Sequence, residues 1–201
     1  DGAMPLPYHD WGEDLTTDQT FNRFFFYGIG AVLLSYQEED LESQYGPFVV
    51  DLPIQDLEVR PEYRPYGARI HFNQDQQATA IMDYAKGILY KPGDIGWEQA
   101  KYLAKATAFT ILTAREHLLY SHFLCSNAVT IAHTECLPPS HPLRRLLTIF
   151  TFRIAICNAG GARSLLSKLG ILHRAVAFTY SSHVKGKYFR RLNTFLPNCY
   201  N

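Results

Sequence analysis

The chain has 201 residues, 47% of them hydrophobic, with 19 basic and 19 acidic side chains and a formal net charge of zero, enough for one core or two small ones. That neutral balance offers no electrostatic reason to bind nucleic-acid phosphates or an anionic membrane. The longest apolar runs, such as 31–34, fall far short of the roughly 20 residues a membrane-spanning helix needs, so no transmembrane segment and no nucleic-acid partner are expected.

Residues 1–16, with Pro5, Pro7 and Gly12, read as an extended arm. Asp18 can cap a helix running to about Tyr36, weakened in its middle by Gly28 and Gly30. A Gly-X-Gly without a preceding strand and a third glycine points to close helix packing rather than a nucleotide cradle. The aromatic cluster Phe21, Phe24, Phe25, Phe26 and Tyr27 implies a wide core. From 47 to 92 the pattern turns strand-like, in Phe48–Val50, Ala68–Phe72 and Ala78–Met82, and predicts a small antiparallel β element. After Lys91-Pro-Gly-Asp, apolar residues recur at three- or four-residue spacing from Trp97 to about Ala132, which predicts one long, mostly buried helix. Cys136-Leu-Pro-Pro-Ser breaks it. His141-Pro142 starts a second helix with proline in its first turn, expected to reach Asn158 before Gly160-Gly161, and a short helix follows at 162–169. The fold class expected is mainly α, a helical bundle around a long central helix, in one partial domain with a helical core over 97–175 and a divergent tail over 178–201.

Cys125, Cys136, Cys157 and Cys199 show no CxxC pair and read as reduced core residues. With no signal segment in view, an intracellular location is favoured.

Histidine is the side chain most used to hold a transition metal, and His117 and His122 stand five residues apart on the long helix. In a regular α-helix such residues point about 140° apart and cannot share a metal. A π-type distortion, with i→i+5 hydrogen bonds, returns them to nearly one face, and such distortions frequently mark functional sites. Spacing alone leaves both readings open: a metal site on a distorted helix, or two unrelated histidines.

Trp97-Glu-Gln-Ala-Lys101, Phe109, His117-Leu-Leu-Tyr-Ser-His122, Cys136-Leu-Pro, His141-Pro142, Leu146-Leu147, Asn158 and Ala162-Arg163 together resemble the lipoxygenase catalytic domain. The order and nearly all spacings agree, over about residues 15 to 175. The resemblance implies that His117 and His122 are the first two ligands of a non-haem iron. It implies that Ala162 is the small residue associated with which face and carbon of the fatty acid meets oxygen, and that Leu166 lines the oxygen approach. His141-Pro142 corresponds to a structural pair. The activity implied is dioxygenation of polyunsaturated fatty acids, in which hydrogen is abstracted from the methylene between two cis double bonds and O₂ then adds.

In the family the remaining ligands, a histidine, an Asn or His and a terminal carboxylate, come from a second segment that this sequence does not carry. A second protein chain is therefore the expected partner, and the chain alone is expected to be a poor dioxygenase, since metal sites commonly use three or more protein ligands. Leu112 stands where the family has a histidine, Ala108 where it has an aspartate, and Ile149-Phe150 where it has Pro-His, which removes polar groups that orient ligands. The other reading is a non-catalytic lipoxygenase-like subunit that binds lipid or packs in a larger assembly. A half-domain of this kind is expected to expose apolar surface to a partner.

Overall fold

A computed structural model describes residues 14, 16–37, 43–168 and 170–179, which fall into two compact units, one within Asp1–Gln55 and Tyr66–Ala108, the other within Asp56–Pro65 and Phe109–Asn201. The arm over 1–13 and the tail beyond 179, with Cys199, lie outside the described residues.

The first unit is built on a five-stranded antiparallel meander in sequential order: β1 (Leu34–Tyr36), β2 (Phe48–Leu52), β3 (Ala68–Phe72), β4 (Ala78–Asp83) and β5 (Ile88–Tyr90). Register pairs Val50 with Ile70 and Ile70 with Ile81, stacking the branched residues across the central strands, the arrangement in which they pack best on a pleated surface. Helix α1 (Asp18–Phe26) covers this sheet through Phe21 and Phe25, whose rings lie 5.2 Å apart, with Phe25 5.6 Å from Phe72. All three rings are fully buried. Asn22 fixes the helix on the sheet: its Nδ2 donates to Gln77 Oε1 at 2.8 Å and its Oδ1 accepts from the Ala78 amide at 3.1 Å.

The mainly α bundle expected from the sequence is overturned by this sheet. Three central strands were legible, but β1 and β5 are three residues each and too short for their alternation to register. The helix expected to reach Tyr36 stops at Phe26. A Cβ on Gly28 or Gly30 would lie 2.8 Å from the Phe24 carbonyl, so the chain folds tightly back there, passes through a 3₁₀ turn (Ile29–Leu33) and enters β1. The helix cap is Thr17 rather than Asp18: its side chain accepts from the Thr20 amide, and Asp18 occupies the first turn. Gly46 has φ +114°, and a Cβ there would run into the Phe72 carbonyl, so only glycine suits the approach to β2.

Asp18 makes a further bond. Its Oδ1 receives Lys101 Nζ at 2.5 Å and Trp97 Nε1 at 2.9 Å, while Lys101 also reaches Glu98 and the Thr16 carbonyl. Burial works against charge on both groups, yet their mutual hydrogen bonds prevail, holding the Asp18 carboxyl below and the Lys101 ammonium above their ordinary ranges. The cluster pins the start of helix α2 (Trp97–Ile111) within this unit, where Ala100, Ala104 and Ala108 form its buried stripe.

The unit boundary falls inside the long helix, between Ala108 and Phe109. Beyond it the helix continues as a π-helical segment (Leu112–Ser126) and then α3 (Asn127–Cys136). A sharp break follows, then α4 (Pro142–Thr151), α5 (Ile154–Gly161), a π turn (Ala162–Leu166) and α6 (Ile171–Ala175). Pro142 occupies the first turn of α4 as expected, and His141 caps it, Nδ1 accepting from the Leu143 amide at 3.2 Å. The helix expected to run to Asn158 instead breaks at Arg153, which has φ 58°. Gly160-Gly161 does not interrupt α5. His133 on α3 and Thr151 on α4 are joined at 2.6 Å, and Thr151 donates onward to the Leu147 carbonyl. The hydroxyl proton being committed, His133 must donate from Nε2. Segment 56–65 pairs with 176–179: Val59 bridges Phe178, and the Arg60 amide donates to Ala177 O at 2.9 Å. No helix among the described residues is long and apolar enough to cross a membrane. Cys125, Cys136 and Cys157 are free, but they are exposed rather than in the core.

Candidate functional site: a histidine pair on a π-helix

The distortion that His117 and His122 require is present, and it extends over 15 residues rather than a single turn. Within it Ser121 donates five residues back, to Glu116 O at 2.9 Å, whereas Thr107, Thr130 and Thr134 in the flanking α stretches, and Ser126 at the segment's last position, each donate four back. The buried set shows the wider turn too, with Ala114, Leu118, Leu119 and Phe123 recurring every four to five residues. On this geometry residues five apart stack, and the two imidazoles meet edge to face with ring centroids 4.7 Å apart. Both histidines are exposed.

Asn158 of α5 organises the exit of the π segment. It is buried, and its Nδ2 donates to the His122 carbonyl at 2.6 Å, with Asn127 Oδ1 at 2.9 Å and Ser126 Oγ at 3.1 Å as further partners. Its Oδ1 meets His122 Nδ1 at 3.1 Å. The amide orientation is set by chemistry: turning it over would place oxygen against the His122 carbonyl, which can only accept. His122 Nδ1 is therefore the donor and carries the proton. In the neutral imidazole Nε2 then carries the lone pair, the form that accepts a proton or ligates a metal.

Ala162 and Leu166 lie four and eight residues beyond Asn158 on the same continuous helix. All three are buried while most neighbours are exposed, so they share one stripe. The structure thus links the first helix turn carrying His122 to the helix carrying Ala162 and Leu166, through one carboxamide. Asn158 stands as a lone amide in the apolar run 154–162, a pattern that signals a buried polar group without naming its partners.

A metal held by this pair would have two nitrogen donors. Among the described residues no group of three or more His, Cys, Asp and Glu side chains is placed to hold a metal ion. A neutral His122 Nε2 suits iron, and the pair supplies two of the five donors that the resemblance implies. Ala108 and Leu112 are buried and apolar, and His141 is occupied in capping α4. No protein-family model matches the chain, and no curated protein matches it.

Proposed function

We propose that the chain is part of a lipoxygenase-like non-haem iron dioxygenase acting on polyunsaturated fatty acids, and that a second chain completes its iron site. The observation that carries this reading is the π segment, which sets His117 against His122 while Asn158 holds His122 with Nε2 bare. His117 and His122 would hold the iron, and the partner would add the remaining nitrogen and carboxylate donors. When bound, iron supplies the one-electron chemistry needed to take hydrogen from a methylene between two cis double bonds. The chain's own residues bind and orient. Asn158 fixes one ligand's tautomer, and Ala162 and Leu166, on the stripe that Asn158 shares, would give part of the apolar wall beside the site.

A second reading, a non-catalytic lipoxygenase-like subunit, is favoured by the missing third donor among the described residues and by the apolar Ala108 and Leu112 where polar support is expected. Iron analysis separates the two. Stoichiometric iron in the intact assembly, lost on His117→Ala or His122→Ala, is the result expected for the dioxygenase. An assembly without iron sinks it and leaves the subunit reading.

A further inference from the structure

The net charge of zero conceals a segregation. All 19 acidic residues lie at or before Glu135, while ten of the 19 basic residues lie after it, so residues 136–201 carry ten cations and no carboxylate. The carboxylates that the second unit does contain come from 56–65 and from the long helix, at Asp56, Glu58, Glu62, Glu116 and Glu135.

The same stretch leaves apolar side chains in water. On α4 the inward face is Arg144, Leu147 and Thr151: Arg144 donates to the carbonyls of Thr134 and Leu137, and Thr151 holds His133. The adjoining stripe carries Leu143, Leu146, Ile149 and Phe150, exposed by 46%, 53%, 74% and 69%. Arg153 then takes a left-handed backbone conformation, unfavourable for a residue with a Cβ. The turn leaves Phe152 69% and, on α5, Ile156 71% exposed, with the Arg153 guanidinium 5.2 Å above the Phe152 ring. From Leu146 to Ala162 the only charged side chain is Arg153.

We infer that this face of α4 and α5 docks on an anionic lipid bilayer. An apolar helical stripe enters the boundary between headgroups and acyl chains, and the guanidinium groups of Arg145 and Arg153 meet lipid phosphates and carboxylates. Charge decides against two other occupants. A second copy would bring its own carboxylate-free stretch to the same face, setting cation against cation across a two-fold interface. A nucleic acid would satisfy the arginines but leave six large apolar side chains without use. The inference rests on this surface alone and is independent of the histidine pair.

The test is co-sedimentation of the purified full chain with vesicles of phosphatidylcholine, alone or with about 30 mol% phosphatidylserine. Binding at least about tenfold stronger to the anionic vesicles is expected, falling as salt screens the arginines. Arg145→Ala and Arg153→Ala should each weaken it about fivefold, as expected for one cation at a charged lipid surface. Ile149→Ser and Phe150→Ser should weaken it as well. Val32→Ser, which removes a comparably exposed apolar group in the other unit, should leave it unchanged. These positions are exposed, so melting curves matching the parent chain will show that the fold is intact. Equal binding to both vesicle types, or none, overturns the inference. So does anionic binding that survives both serine substitutions, which would make the surface a simple polyanion site. A dimer dispersed by Phe150→Ser, in a chain that ignores vesicles, would assign the face to a second copy instead.

Discussion

Replacing Asn158 with leucine should weaken the second unit and change the tautomer of His122 together. The amide has two protons for three acceptors and one oxygen for the His122 ring, which amounts to about three effective hydrogen bonds. At roughly 1 kcal/mol net for each, their loss costs about 3 kcal/mol. Leucine in the same buried space returns about 1 kcal/mol through its apolar surface, leaving a net destabilisation of about 2 kcal/mol. Part of the damage is local, because the His122 carbonyl keeps Ser126 Oγ as a donor. In urea denaturation a loss of this size moves the midpoint by about 1 M at an unchanged slope. Nitrogen-15 NMR should show His122 leaving the Nδ1–H form, since with the Asn158 acceptor gone only water meets that proton and the two tautomers redistribute. Asn158→Asp separates the two effects: the carboxylate still accepts from Nδ1, but the donors to the His122 carbonyl and Asn127 are gone, so stability falls while the tautomer stays. An Asn158→Leu chain with the parent's midpoint and the parent's tautomer would refute the reasoning. A shifted midpoint with an unshifted tautomer would reduce Asn158 to a clamp on the helix.

In the first unit, Phe72→Ala empties a position against which Phe21 and Phe25 both pack and should cost about 3–5 kcal/mol by urea denaturation. Gly46→Ala imposes a side chain at φ +114° against the Phe72 carbonyl and should cost more than about 1 kcal/mol in the same assay, where an ordinary turn glycine would lose little. Thr151→Val leaves the buried His133 Nε2–H without an acceptor and should cost about 1–3 kcal/mol, with His133 redistributing between tautomers in nitrogen-15 spectra. The Asp18 carboxyl is held below its ordinary range in the folded chain, so its contribution is complete above about pH 4 and is lost as pH falls through the lowered value. Lys101→Met should remove that contribution, and the difference in stability between the parent chain and Lys101→Met should narrow below about pH 4.

Much of this arrangement was legible in the residues. Strands β2, β3 and β4 announce themselves by β-branched and alternating residues, and the Trp97-to-Cys136 helix by its apolar period. What failed was set by close packing of the backbone and by strand pairing, neither of which a local pattern shows. The end of α1 depends on the approach of Gly28 and Gly30 to Phe24, and β1 exists because Leu34, Ser35 and Tyr36 find β2 as a partner. The break at Arg153 is invisible locally, since an arginine between Phe152 and Ile154 carries no turn signal. At the candidate site the five-residue spacing of the histidines requires a π-helix before any chemistry can follow, and the π segment over Leu112–Ser126 meets that condition. The role of Asn158 was not legible, because an asparagine declares its partners only when a second helix is laid beside the first.

Under the proposed function, two imidazoles open to water, with a carboxamide holding one in its ligating tautomer, form a site that is oriented before a partner completes it. Orientation is what a partner's ligands would otherwise have to impose on arrival, so a pair fixed in advance lowers the ordering cost of assembly. Metal binding by the isolated chain measures this directly. A divalent ion such as Co(II), added to the purified chain, should bind weakly with one-to-one stoichiometry, since two nitrogen donors leave most of its coordination to water. His117→Ala should abolish that binding. Asn158→Leu should weaken it by about 10- to 100-fold, the range usual when a ligand's supporting hydrogen bond is lost. An affinity that Asn158→Leu leaves untouched, in a chain whose His122 tautomer has changed, would mean that the pair gains nothing from being held, and the argument for a prepared half-site would fail.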